Sequence, residues 1–492
     1  MLTYLGKNPI YIVLGLFLFV YLFLSLTLHY QFNTTDADLA IYAQHVWYLS
    51  QGDIFGYGNT FKAFNIFGDH FIVHFFWISL LYKIWSSASV LIIVQTTAVV
   101  LSALPLYWFA KERLKDTLSA LLLVSGYLLF YGFQSAAIFP FHGATLSSVF
   151  ISFTLWFAYK RKWLPYFIFL VAALFSKEDV PTFTFALGLY LFFMRKDRKI
   201  GLITAAVSLV YFYLVIYQIM PFFLHGQPYT YLVESQNSKF LNPIGLIKDF
   251  FIPIEKTKTL TSLFSSFGLL PLLSLSYLFI VAPFLLARFT SPVTQRWAPW
   301  MHYSANQGPI LGFGEVLGLE NLVKLAEKIK IAKRFVANKI YFYRFYLSLT
   351  ILVSILIGVY YQMPLYKLLT PNFYQTSAGV VTINQALALI PSDPNISVAT
   401  QSGLLPHLAL RKKIYMYPHP SFAVNEPRGD LQDSDPIQDY AVPDVDYIIL
   451  SKNAFHWRPA SGKFDEVLTY VKSLPGYEVV FDKDATVVLK RK

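Results

Sequence analysis

The chain has 492 residues, 55% of them hydrophobic and only 14% charged, with a net charge of +12 and no cysteine. A soluble globular domain carries about 25% charged residues, so an ordinary soluble protein is excluded. Disulfides and thiolate metal sites are excluded by the missing cysteine.

The first apolar run, about 9–29, follows a single basic residue, Lys7, and lacks a small-residue cleavage site. It predicts an uncleaved membrane helix rather than a signal peptide. Further apolar runs lie near 88–110, 117–135, 144–159, 163–176, 180–194, 200–220, 259–272, 273–288, 307–319 and 341–361. Several are shorter than the roughly 20 residues of a simple span, which suggests tilt, thinning or re-entrant turns.

The segment from His70 to Trp85 is apolar but holds His70, His74 and Lys83. If it lies along the outer surface, the basic loops at 111–115, 160–162, 195–199 and 320–340 all fall inside. Inside loops then hold 17 Lys and Arg in about 43 residues, against 10 in about 140 outside. The positive-inside rule favours this arrangement. It predicts eleven spans, a cytoplasmic N-terminus and an extracytoplasmic C-terminus, with surface helices at about 36–50 and 70–85. The stretch 259–288 must then be a hairpin with Pro271 near its tip.

From residue 371 onward, 12 Lys and Arg meet 13 Asp and Glu, leaving 28 against 15 in residues 1–370. The excess positive charge belongs to the membrane part, so it marks topology rather than nucleic-acid binding. Residues 1–370 are the expected transmembrane domain. Residues 371–492 read as a small extracytoplasmic α/β domain, with strands at 395–400, 413–417, 446–450, 477–481 and 485–489 and helices at 403–411 and 464–473. No phosphate-binding glycine loop precedes either helix, and no internal repeat is present.

Polar residues gather in the predicted outer loops. Asp36 and Asp38 open an amphipathic run to Leu49. A capping carboxylate suits a helix start, which accounts for Asp36 and leaves Asp38 free for other work. His70 and His74, four apart, are expected on one helix face with Trp77. Such a pair reads either as a metal site or as interfacial rings, and His70, at the helix start, is the better placed for a site. His142 sits in the otherwise apolar turn Phe139-Pro140-Phe141-His142, and its ring is expected in a cavity. Lys177-Glu178-Asp179 lies between apolar runs of about 14 and 15 residues. Fourteen residues rise about 21 Å against a hydrocarbon core of about 30 Å, so this turn should be recessed. Charges at that depth pair or line a watery pocket. Lys177 could bind a phosphate, while Glu178 or Asp179 could hold a divalent cation. His302-Tyr303 follows Trp297 and Trp300, a pair that an interfacial belt accounts for. The basic stretch 322–339 reads as a cytoplasmic surface helix on anionic lipid.

Asp38 with Gln44 and Trp47, His70-Phe71, Phe141-His142, Lys177-Glu178-Asp179-Val180, His302-Tyr303 and Leu405-Pro406-His407-Leu408 with Arg411 occur in that order. In these residues, over nearly the whole chain, the protein resembles a bacterial and archaeal family of multi-pass membrane proteins with a domain of unknown function. That family is distantly similar to the GT-C glycosyltransferases, which use polyprenyl-phosphate sugars. The resemblance implies a GT-C-like fold and places Asp38 as catalytic base, although the adjacent acidic pair of well-known members is absent. It implies an inverting transfer of a sugar from a polyprenyl-phosphate donor to an acceptor hydroxyl on a glycan, lipid or protein. Lys177, His70, His142, Gln44, His302 and Tyr303 would bind substrate, and Glu178 and Asp179 would hold Mg or Mn. The rival readings are a transporter or lipid flippase, and a non-catalytic scaffold or binding protein. Against transport, repeated halves are missing and the charges gather at one face rather than the midplane.

Overall fold

The computed structural model describes residues 8–34, 37–58, 65–229, 243–419, 442–456 and 463–492. Asp36 lies outside these residues.

The chain is mostly helical. Its first half comprises α1 (Ile10–Tyr30), α2 (Asp38–Ser50), α3 (Phe75–Tyr82), α4 (Ser89–Leu101), α5 (Ala103–Leu114), α6 (Thr117–Leu128), α7 (Tyr131–Ile138), α8 (Gly143–Lys160) and α9 (Trp163–Leu174). Then come α10 (Val180–Leu189), which widens into a π turn at Tyr190–Met194, and α11 (Arg198–Leu214). They are followed by α12 (Pro243–Phe251), α13 (Ile254–Ser265), α14 (Leu275–Phe289), α15 (Gly308–Glu327) and α16 (Lys339–Tyr360). Among the described residues, four stretches are long and apolar enough to cross a membrane: Ile10–Tyr30, Ser89–Leu114, Arg198–Phe223 and Lys339–Tyr360. The pair α6–α7, bent by 50°, makes a fifth if counted as one span. The helices share one apolar core running from Leu14 and Tyr21 through Tyr127, Phe183 and Phe313 to Leu347.

The bundle has two chemically distinct ends. At one, ion pairs tie successive loops together: Arg113 with Glu320, Arg344 with Asp116, Lys160 with Glu112, and both Arg161 and Arg195 with Asp197. Helix α8 runs from this basic end to His142 at the other, polar end.

Two expected helices differ. The segment 70–85 is helical only over α3, whose eight residues rise about 12 Å and cannot cross a bilayer. His70 is extended (φ −136°, ψ 120°) after the single turn Ile66–Asp69, which Asn65 caps. His70 and His74 therefore share no helix face. The basic stretch 322–339 is not a surface helix either. Helix α15 continues to Glu327 because its apolar period extends to Val323, which is 2% exposed in the core. Only a short turn, Ala332–Phe335, precedes α16.

After α17 (Ala378–Leu387) the described residues form five strands: β1 (Val398–Thr400), β2 (Ile414–Met416), β3 (Tyr447–Ser451), β4 (Tyr477–Lys483) and β5 (Thr486–Arg491). Helix α18 (Phe464–Lys472) lies between β3 and β4. The order is β2-β1-β3-β5-β4, with β1 parallel to β2 and β3 and with β5 antiparallel to β3 and β4. Strand alternation gives the sheet two apolar faces. Ile448 and Leu450 pack on α18 through Phe464 and Val467, while Ile449 and Val488 join a core containing Leu39, Ala43 and Val46 of α2. Thus α2, which begins at Asp38, is sandwiched against the sheet.

The seam is also hydrogen-bonded. Phe455 N donates to Phe32 O at 2.9 Å, Gln44 Nε2 to Arg411 O at 2.8 Å, and Tyr48 Oη to Lys412 O at 3.1 Å. Gly403 lets the backbones meet, since a Cβ there would lie 2.5 Å from Phe32 O and 2.7 Å from Phe455 O. Gly403→Ala is expected to cost about 1–3 kcal/mol through overpacking. Thermal unfolding and faster proteolysis of residues beyond 371 would register it.

Candidate functional site

At the polar end lies a cavity of about 220 Å³. Its charged lining comprises His70, Lys177, Glu178, Asp179, Arg288 and Arg296, so three permanent cations face two carboxylates. The Lys177–Asp179 turn links α9 and α10, and Lys177 and Glu178 are buried. Gly143 brings this turn against the start of α8: a Cβ there would lie 2.0 Å from Ser176 O. That approach sets Lys177 beside His142 in the fold.

Glu178 is fully engaged. Its Oε1 accepts from Tyr229 Oη at 2.9 Å and meets His70 Nδ1 at 2.8 Å, and its Oε2 accepts from Phe71 N at 3.3 Å. Burial alone would raise this carboxyl, but the charge and hydrogen bond of His70, with Lys177 beyond, hold it at about 2. Burial opposes the charge on His70 in turn, yet Glu178 and Asp69 raise it above its ordinary value. The Glu178 contribution is therefore present above the unfolded carboxyl value and fades only as pH falls toward about 2. The His70 contribution is complete below the unfolded value of about 6.5 and is lost as pH rises through its elevated folded value. At neutral to alkaline pH only the His70 arm titrates. Thermal stability should fall as pH rises above about 6.5. His70→Asn should cost about 3 kcal/mol at pH about 6 and flatten that decline.

Lys177 Nζ lies 3.9 Å from Asp179 Oδ2 and 5.8 Å from the centroid of the Tyr303 ring. Arg288, in the last turn of α14, is buried and bonds only neutral acceptors: Arg296 O at 2.8 Å, Gln307 Oε1 at 3.3 Å and Trp297 O at 3.5 Å. It has no carboxylate partner among the described residues. Nearby, Asn306 Oδ1 and Asp179 Oδ1 are buried without a hydrogen bond.

Asp38 stands beside this group, near enough for the charges of His70 and Lys177 to act on it. It stands in the first turn of α2, after Ala37, whose side chain offers no cap. Its Oδ2 meets His142 Nε2 at 3.2 Å. His142 Nδ1 lies 2.8 Å from Pro140 O, an atom that can only accept, so Nδ1 carries a proton. Nε2 faces the Asp38 carboxylate, yet burial, the largest influence on this ring, holds His142 below its ordinary value despite that neighbour. Burial would raise Asp38, but the hydrogen bond and charge of His142 hold it below its ordinary value. Asp38 is thus an ionised carboxylate set against the His142 ring. The His302 ring stacks on His142 with centroids 3.6 Å apart and is buried with both nitrogens unpartnered. Gln95 fixes the whole turn, accepting from His142 N at 2.7 Å and donating to Ala136 O and Phe139 O.

The fold therefore gathers Asp38, His70, His142, Lys177, Glu178, Asp179, His302 and Tyr303 at one end. Gln44 belongs instead to the seam with Arg411. His74 is structural: its Nε2 bonds Ala172 O at 2.8 Å and its Nδ1 accepts from Trp77. Arg288, Asn306, Tyr229 and Gln95 escape a reading by sequence. A lone arginine ending an apolar helix looks like a snorkelling side chain, and the amides carry no motif. As for a divalent cation, no three His, Asp or Glu converge in ligating geometry among the described residues. Glu178 is spent on His70, Tyr229 and Phe71, so the donor set does not fit a metal and no step is routed through one.

The fold and cavity define a polytopic membrane protein with a cationic pocket at one end and an α/β unit seated at that same end. The chain belongs to the DUF2079 family of predicted membrane proteins, whose profile matches residues 28–488. No curated protein matches it. In structure it is similar to ArnT from Cupriavidus metallidurans bound to undecaprenyl phosphate. The identity is 14% and the TM-score 0.52, over 99% of this chain and 98% of ArnT. Apo ArnT gives 14% identity and a TM-score of 0.53 over 98% of both chains. The shared feature is the fold, which is the GT-C-like architecture that the sequence resemblance implied.

Proposed function

We propose that the protein is an inverting membrane glycosyltransferase that moves a sugar from a polyprenyl phosphate to an acceptor hydroxyl at the extracytoplasmic face of the plasma membrane. The carrying observation is one cavity with two buried cations, Lys177 and Arg288, next to the ionised Asp38 carboxylate that meets His142. ArnT, with the same fold, binds undecaprenyl phosphate, which supports a polyprenyl-phosphate lipid. In this reading the chain has eleven spans, a cytoplasmic N-terminus and residues 371–492 outside, where they would meet the acceptor.

Asp38 takes the proton from the acceptor hydroxyl as that oxygen attacks the anomeric carbon. The bond from that carbon to the phosphate oxygen breaks with its electron pair on the leaving oxygen. Lys177 and Arg288 hold the charge that develops there. His142 orients the Asp38 carboxylate through Oδ2. Asn306 and Asp179 offer unpartnered acceptors to sugar hydroxyls. His70 holds Glu178, and Tyr303 lies against Lys177. The purified protein should transfer or hydrolyse sugar from at least one member of a radiolabelled polyprenyl-phosphate sugar panel. Flux of lipid across vesicles without covalent change would contradict this reading.

A further inference from the structure

A second cavity, of about 280 Å³, is lined by Arg113, Tyr159, Tyr190, Arg195 and Tyr277 among apolar residues. Three helices measure its separation from the first. Thr182, Phe284 and Gln307 line the polar cavity, whereas Tyr190, Tyr277 and Leu317 line this one. Offsets of seven to ten residues correspond to about 10–15 Å along the helices. The second cavity therefore lies toward the basic end.

Its arginines are held from outside. Arg113 is bound through Nε and Nη2 to Glu320, and Arg195 through Nε to Asp197 and through Nη2 to Tyr159 O at 3.0 Å. Arg113 is also hydrogen-bonded to the Tyr159 phenol, which lines the cavity with it. Neither Glu320 nor Asp197 lines the cavity. Asp197 also serves Arg161, so two guanidiniums share one carboxylate and a positive charge is left over. Tyr190 opens the π turn, a distortion frequent at functional sites. In the same turn Phe193 and Met194 are exposed apolar residues.

Guanidinium donors without a carboxylate in the cavity, joined by three phenols, suit the oxygens of a phosphate. We propose that this cavity is a second anion site that takes a phosphate group, carried by an acidic phospholipid headgroup or free in solution. The site is independent of the glycosyltransferase reading. Phe193 and Met194 would lie along the acyl chains of such a lipid.

The test uses the full chain, delipidated in detergent. Native mass spectrometry reads retention of phosphatidylglycerol and phosphatidylcholine, and thermal shift reads inorganic phosphate. Phosphatidylglycerol should be retained about tenfold better than phosphatidylcholine, and Arg195→Gln or Arg113→Gln should weaken it about tenfold. Lys199→Gln, a change in the first turn of α11, should leave it unchanged. Stabilisation by inorganic phosphate that needs Arg195, without lipid preference, would assign the free ion. Equal retention of both lipids with no phosphate effect would overturn the proposal. Equal weakening by Lys199→Gln and Arg195→Gln would do the same, because diffuse charge would then suffice. Should the arginine variants not fold, Tyr190→Phe and Tyr277→Phe decide: each should weaken binding about threefold, and unchanged binding would overturn the site.

Discussion

Lys177→Met and Arg288→Met are each expected to weaken retention of a polyprenyl phosphate by about a hundredfold, or about 2–3 kcal/mol. The argument rests on how the two cations are held. Arg288 is buried among backbone and amide oxygens, so its charge is hydrogen-bonded but not neutralised. The carboxylate paired with Lys177, on Asp179, stands at the long distance of 3.9 Å, and Glu178 and Asp69 act on the lysine without a direct ion pair. A phosphate entering the cavity would complete both charges in a site largely removed from water, where such pairs are strong. Gln44→Ala is the matched control: it loosens the seam to Arg411 but touches nothing in the cavity, and binding should persist. Native mass spectrometry of variants that elute as the wild type does would separate lost binding from lost folding. Lys177→Arg should recover part of the affinity, whereas a purely structural lysine would gain nothing.

Asp38→Asn is expected to lower turnover by about 10²–10⁴-fold while leaving lipid binding intact. Asparagine keeps the shape of the carboxylate and can still hydrogen-bond His142, but it cannot take a proton from an acceptor hydroxyl. Because His142 holds Asp38 below its ordinary value, the base form persists as pH falls from about 7 to about 5. Loss of rate over that range should therefore not come from Asp38. Labelled-sugar transfer, measured beside lipid binding on the same preparations, checks both statements. Equal turnover by wild type and Asp38→Asn would remove this residue from the base role.

Features set by local depth and pattern could be read in the sequence. The Lys177–Asp179 turn was legible because the two flanking apolar runs are too short to carry it to the surface. The place of Asp38 in the first turn of a helix was legible in the polar run before an amphipathic stretch. The strands from 398 to 491 followed from alternation and from the stop at Pro475-Gly476. Contacts between distant segments were not legible. Glu178 meets His70 across 108 residues, and Gln44 meets Arg411 across 367. Spacing misled at His70 and His74, since a capped single turn ends at Asp69 and leaves His70 extended. It misled again beyond residue 320, where positive charge suggested a surface helix but apolar residues continue the core helix to Glu327. Arg288 was hidden by its type and place, because only the loop 296–307 folding back over α14 makes it part of a cavity.

The central claim is that the polar cavity holds the phosphate of a polyprenyl lipid, and cryo-electron microscopy of the full chain with a polyprenyl phosphate tests it most directly. The account predicts phosphate density within hydrogen-bond reach of Lys177 Nζ and the Arg288 guanidinium, with Asp38 facing the space beside it. Phosphate density elsewhere on the protein, with that cavity filled only by water, would contradict it.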